Sequence, residues 1–205
     1  MPCSAQRRRF ETRRELFRML SMASINSSRL TLFSLVAFAL LFAGSHLAWQ
    51  LTHGGVVSHH LLDQRDLPAI SNWWGLAILP LVGALAAWSA QRSSARTAVA
   101  SAAGAFLVGI AMCVAFTIDS SGNASAMIMV AVLASGLVFP IYRAEYVFGF
   151  AIGMSFVFGL VLPTLISVVP IAISAAFHFL IRPALMRILR MTGVVRNAPQ
   201  IARDD

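Results

Sequence analysis

His46, His53, His59 and His60 fall within one fifteen-residue stretch, and Asp63 and Asp66 follow directly. Imidazole and carboxylate are ligand types that zinc, iron and copper accept. On a helix over 57–66, His59 and Asp63 are four residues apart and His60 and Asp63 three apart, so each pair shares a face. Asp66 falls a further turn along the same stripe. Gly54 and Gly55 sit just before, where they permit a sharp turn that returns His59 and His60 toward His46 or His53. The remaining histidine, His178, lies about eight residues past Pro170 in an apolar stretch, ~12 Å into a bilayer at 1.5 Å per residue. An ionisable group at such depth marks a candidate functional site.

The chemistry this pattern points to is a metal site. Its candidate ligands are His46, His53, His59, His60, Asp63 and His178, around a divalent zinc, iron or copper ion. A metal-bound water with its pKa lowered toward about 7 would serve a hydrolytic reaction on a lipid-like substrate arriving from the bilayer. Asp66 is the candidate catalytic proton acceptor. Each residue also has a plainer explanation. Loop histidines can simply be solvated, and His46 at a span end can rest at headgroup level. His178 can be a neutral core histidine hydrogen-bonded to a serine of a neighbouring span. Asp63, Arg65 and Asp66 can form a surface ion network that contributes little stability. Trp73 and Trp74 fit an interfacial belt, and Asn72 fits a helix N-cap. Haem held between His46 and His178 is a further alternative and ranks last, since only one such pair of spans exists.

The elements that must position these groups are membrane helices. The chain is 58% hydrophobic and 12% charged, with mean hydropathy +0.76, against about 25% charged in soluble domains. So little polar surface requires lipid as solvent for much of the chain. Apolar runs at 30–50, 74–90, 97–118, 125–141, 146–163 and about 165–186 predict six spans. The expected fold class is an all-α, polytopic membrane helix bundle. Residues 1–29 would be a basic leader, 30–190 the bundle with an outer loop at 51–73, and 191–205 a tail.

The charge distribution orients it. Every basic residue is arginine and the formal net charge is +8. Arginines crowd both termini, and Arg92, Arg96 and Arg143 occupy two further loops, whereas 51–73 holds only Arg65 and 119–124 holds none. The positive-inside rule then places both termini in the cytoplasm, which agrees with an even span count. The Arg-only, Ala-rich composition suggests a bacterial cytoplasmic (inner) membrane. Nucleic acid is not an expected partner, because no aromatic-interleaved basic module accompanies the charge. An Arg-rich start, the apolar run from Leu30 and Ala43-Gly44-Ser45 also allow a cleaved signal peptide, although the apolar run continues through Trp49.

Other signals are sparse. Gly149 and Gly153 form a small-xxx-small face in the fifth run, and Ser101 with Ala105 a weaker one in the third. Cys3 and Cys113 are too far apart to form a disulfide. Phosphate-cradling glycine loops and hydrolase or zinc-protease motifs are absent. Asp119 and Glu145 both fall at loops, Glu145 as a turn pair with Arg143, which weakens an ion-driven transporter. In its general plan the chain resembles membrane-embedded ceramidase-like hydrolases, which gather a histidine-and-aspartate zinc site near one bilayer face. The closing His-x-x-x-His pair of that family is missing, since His178 stands alone, and no residue role is carried over. Two functions therefore compete. One is a metal-binding, hydrolytic pocket in the first loop. The other is a non-enzymatic accessory or transport-related subunit that docks into a larger membrane complex through that loop.

Overall fold

The computed structural model describes residues 3–60, 69–119 and 121–191, the side chains of 3–27 and of 59–60 excepted. The chain is mostly helical. Helix α1 (Cys3–Thr52) passes without a break from the basic leader into the first apolar run, ~75 Å at 1.5 Å per residue. A two-stranded antiparallel hairpin follows, β1 (Ser58–His60) with β2 (Ala69–Ser71). A 3-10 turn, Asn72–Trp74, leads into α2 (Gly75–Ala90), and α3 spans Ala95–Ile118. Then come α4 (Asn123–Val138), α5 (Ala144–Phe158), α6 (Leu162–Ile166) and α7 (Val168–Ala176). A π-helical turn, Phe177–Ile181, joins α7 to α8 (Arg182–Met191).

Among the described residues four stretches are long and apolar enough to cross a membrane: Ser28–Thr52, Asn72–Ala90, Ala95–Ile118 and Leu162–Met191. The apolar helices α4 and α5 are shorter. The fifth run was expected to continue to Pro163, but α5 stops at Gly159, whose φ of +73° is left-handed. The last run is segmented where proline recurs. Pro163, Pro170 and Pro183 each fall in the first turn of α6, α7 or α8, and the helical path runs on past Pro170 and Pro183, with the π turn just before Pro183.

Packing centres on α5. Gly149 and Gly153 press against the backbone of α3: a Cβ on Gly149 would strike the Ala102 carbonyl, and one on Gly153 the Phe106 carbonyl. Gly109 of α3 answers from the other side, 2.8 Å from the Phe150 carbonyl on the same test. The small-residue face thus works inside the chain, with Ala102, Phe106 and Gly109 as partners in place of the Ser101–Ala105 pair. On the other flank of α5, α1 and α2 close a core of Ala39, Ala43, Leu47, Leu79, Ala86, Phe148 and Leu160. Ala39, Ala43 and Leu47 make α1 a packing member of this core.

The two ends differ. At the hairpin end, the β1–β2 ribbon and the Asn72 turn meet the α5–α6 connection. At the arginine end, the 91–94 and 140–143 turns gather with the Ser28 region of α1. Asp119, in the α3–α4 turn, caps α4 by accepting from the backbone N–H of Ala124 at 2.6 Å and of Ser121 at 3.0 Å. The Ser121 hydroxyl, aided by those N–H groups, holds its carboxyl below the usual range.

Replacing Gly149 or Gly153 by leucine sets a side chain against backbone that cannot yield. The expected loss is about 3 kcal/mol or more, beyond the usual overpacking range of roughly 1–3 kcal/mol. Thermal or denaturant unfolding in detergent checks this, and a Leu variant as stable as the parent would refute the close crossing.

Candidate functional site

The hairpin end is held by a chain of polar contacts that begins on α1. Gly54 (φ +113°) and Gly55 (φ +100°) turn the chain just after Thr52, as their spacing suggests. The N–H groups of His53 and Gly55 both donate to the Gln50 carbonyl, at 3.0 and 2.9 Å. The Gln50 side chain is buried, and its Oε1 accepts from the Val57 N–H at 3.4 Å. That orientation turns the amide nitrogen toward His46, 3.2 Å from its Nε2. An amide nitrogen only donates, so His46 Nε2 is the acceptor and the ring proton sits on Nδ1.

The chain of contacts continues through Val57, whose carbonyl accepts from the Asn72 N–H at 3.1 Å. Asn72 is 1% exposed, and its Oδ1 accepts from the Leu160 N–H at 2.6 Å. Gly159 makes room, since a Cβ there would lie 2.6 Å from that same oxygen. Asn72 is therefore not the helix cap expected of it. Ser71 takes that role, accepting from the Trp73 N–H at 3.4 Å. Trp73 and Trp74 are exposed, at 51% and 63%.

The candidate ligands are dispersed. His46 is buried against the edge of Phe156, with its Nε2 already occupied by Gln50. His53 stacks on Trp49 at 4.6 Å, and its Nδ1–H donates to the Trp49 carbonyl at 2.9 Å. Residues 58–60 are extended backbone paired with 69–71, so the helical register expected to stack His59 over Asp63 does not begin there. Extended backbone advances ~3.3 Å per residue where a helix advances 1.5 Å. Asp63 and Asp66 lie outside the described residues.

His178 is at the other end. Its ring packs on Tyr142 of the α4–α5 turn, and its Nδ1–H donates to the Ser174 carbonyl at 2.9 Å. His46 sits beside Phe156, fourteen positions further along the chain than Tyr142, a rise of roughly 20 Å. The expected approach of His178 to the first loop is corrected accordingly, and with it the haem pairing of His46 and His178. Among the described residues no group of three His, Cys, Asp or Glu could hold a metal ion.

The sequence pairs Glu145 with Arg143 correctly but does not announce its burial. Glu145 lies in the first turn of α5 and is 3% exposed, in ion-pair contact with Arg143. Among the described residues neither carboxylate oxygen receives an aligned hydrogen bond. It lines an open cavity of about 900 Å³ at the arginine end, between α1, α2, α3 and α5. The cavity wall includes Ser34 of α1, Ser93 of the α2–α3 turn and Phe148 of α5. The available signal was scarcity: between Asp66 and the C-terminal tail the chain has only two acids, Asp119 and Glu145.

Comparison with protein-family models, with curated proteins and with solved structures finds no match for this chain.

Replacing Asn72 by alanine strands the buried Leu160 N–H, at a cost of about 1–3 kcal/mol. Hydrogen–deuterium exchange should accelerate in peptides covering 69–74 and 158–162, with Trp73→Ala as a control that leaves them protected. Unchanged protection in the Asn72 variant would show that the contact does not hold the hairpin.

Proposed function

We propose that the chain crosses a bacterial cytoplasmic membrane six times, with both termini inside, and acts as a non-enzymatic, transport-related protein. In this reading a small polar solute enters the Glu145 cavity from the cytoplasmic side. The observation that carries it is the burial of Glu145 on the wall of an open, partly polar cavity in a chain otherwise solvated by lipid. A buried ion pair contributes little stability, because desolvation offsets the Coulomb gain, and ionisable groups within membrane bundles tend to serve function. The grouping of Arg92, Arg96 and Arg143 at the cavity end fits a cytoplasmic opening. The short α4 and α5 are accommodated by local thinning of the bilayer.

The test is cysteine accessibility in a Cys3→Ser/Cys113→Ala background. Ser34→Cys, on the cavity wall, should react with a charged, membrane-impermeant maleimide in inverted vesicles and not in right-side-out ones. Thr52→Cys should show the opposite pattern. A Ser34→Cys that labels from neither side, or from the Thr52 side, would overturn the inward-open cavity.

One observation favours a second reading, a metal site at the hairpin end. The His53 ring is held by an Nδ1–H to carbonyl bond, and no partner for its Nε2 occurs among the described residues, the arrangement that orients metal-ligating imidazoles. His59, His60 and Asp63 would complete the sphere, and Asp66 would serve hydrolysis of a lipid-like substrate. Elemental analysis of purified protein beside a His59→Ala/His60→Ala variant decides it. Stoichiometric zinc, iron or copper that disappears in the variant supports the site, and a metal content that both share rejects it.

A further inference from the structure

Two cavities flank the α3–α5 pair, and they differ in chemistry. The one between α3, α4, α5 and α7, about 450 Å³, is walled almost entirely by apolar side chains such as Val108, Val132, Phe139 and Ile171, and suits an acyl chain. The one at the arginine end carries Glu145, its only charged lining residue among those described. Ser28, Thr31 and Ser34 recur every three residues along its α1 wall, while Ala86, Ala90, Ala98 and Ala102 form the wall of α2 and α3. The Phe148 ring lies on the same face of α5 as Glu145, three residues on.

Two positive features meet Glu145. Glu145 stands in the first turn of α5, where the unpaired N–H groups of the helix start make a partial positive charge. Its one described ionic partner, Arg143, comes from the residue just before the helix and is 21% exposed. That contact touches Oε1 but supplies no aligned hydrogen bond to either oxygen. A carboxylate has about four acceptor sites, so the pair is well matched in charge and poorly matched in donors.

We infer that Glu145 is the binding carboxylate for a small organic cation, a primary ammonium or guanidinium, and that Arg143 is an internal stand-in which such a cation displaces. The inference rests on the transport-related reading above and names its solute class. An ammonium presents three donors, which can divide between the carboxylate and the hydroxyls of the α1 wall. Its alkyl part lies on the alanine wall, and the Phe148 ring face attracts the charge. A hard divalent ion is a poorer match, because it needs six or more oxygen ligands and the wall opposite Glu145 is alanine. The partial exposure of Arg143 gives its guanidinium a route out toward headgroups or water when the solute arrives.

The experiment uses the full chain in lipid nanodiscs at pH 7, titrated calorimetrically with n-butylammonium, and with n-butanol and butyrate as neutral and anionic controls. Saturable binding of n-butylammonium alone is expected. Glu145→Gln should weaken it at least about tenfold, and Arg143→Gln, which removes the internal competitor, should strengthen it about tenfold. The Arg143 variant guards against a Glu145 variant that fails to fold. A purely structural pair would leave Arg143→Gln destabilised with no binding gained, and that result overturns the proposal, as does equal binding in Glu145→Gln. The two readings fail separately. If Ser34→Cys labels from the cytoplasm while Arg143→Gln binds no cation, the cation assignment falls and the open cavity stands. If Ser34→Cys is closed to both sides while binding depends on Glu145, the transport reading falls and the binding carboxylate stands.

Discussion

The arrangement depends on how closely α3 and α5 approach one another. In lipid there is little hydrophobic drive between helices, so association relies on van der Waals packing of surfaces that fit. Gly149 and Gly153 supply such a surface by letting the backbone of α3 come where side chains would otherwise stand. With α5 fixed on α3, another face of α5 becomes the wall against which α1 and α2 close, while α7 packs on α4. Phe148 and Leu160 then belong to the same core as Ala39, Ala43 and Leu79. The same crossing sets the depth of Glu145, one turn before Gly149. Nothing in Glu145 itself buries it; it is carried inward by the glycine contact.

At the opposite end the constraint is polar. Irregular backbone near a membrane must find partners for its N–H and C=O groups within the protein. The route from Gln50 through Val57 and Asn72 to Leu160 does this for two connections at once. Asn72 substitutes for the helical partner that the Leu160 N–H loses when α5 stops at Gly159. This accounts for the buried Asn72 Oδ1, while its Nδ2 has no partner among the described residues. It also explains why His46 is engaged inward, toward Gln50, and is poorly disposed to serve as a ligand through Nε2.

The legible part of the molecule was what depends on local periodicity and bulk solvation. Runs of apolar residues gave α2 and α3 nearly to their ends and the C-terminal end of α1, whose helix begins at Cys3, far before the run at 30–50; the Gly149–Gly153 spacing gave the packing face, and Gly54-Gly55 gave the turn. Two kinds of property were not legible. The first is local structure decided by distant partners: β1 is a strand because 69–71 pairs with it, and no spacing within 57–66 announces this. The second is depth. His178 was measured from Pro170 as though one straight helix descended from the hairpin end. The segmented α6–α7 path instead carries it past the end of α4, where Ser174 donates to the Phe139 carbonyl.

Glu145 shows why depth is the harder quantity. A carboxylate two residues from an arginine at the edge of an apolar run has the sequence signature of a solvated turn pair. Whether it is solvated depends on the length of the helix it begins. Helix α5 has 15 residues, ~22 Å at 1.5 Å per residue, against a hydrocarbon core of about 30 Å. Helix α5 is locked against the 24-residue α3 through Gly149 and Gly153. Its far end is tied to Asn72 by Leu160, so the position of its near end, which carries Glu145, is set by contacts made elsewhere along the helix. Burial of the carboxylate thus follows from three facts that lie far apart in sequence: where α5 ends, how α3 and α5 cross, and what holds Leu160.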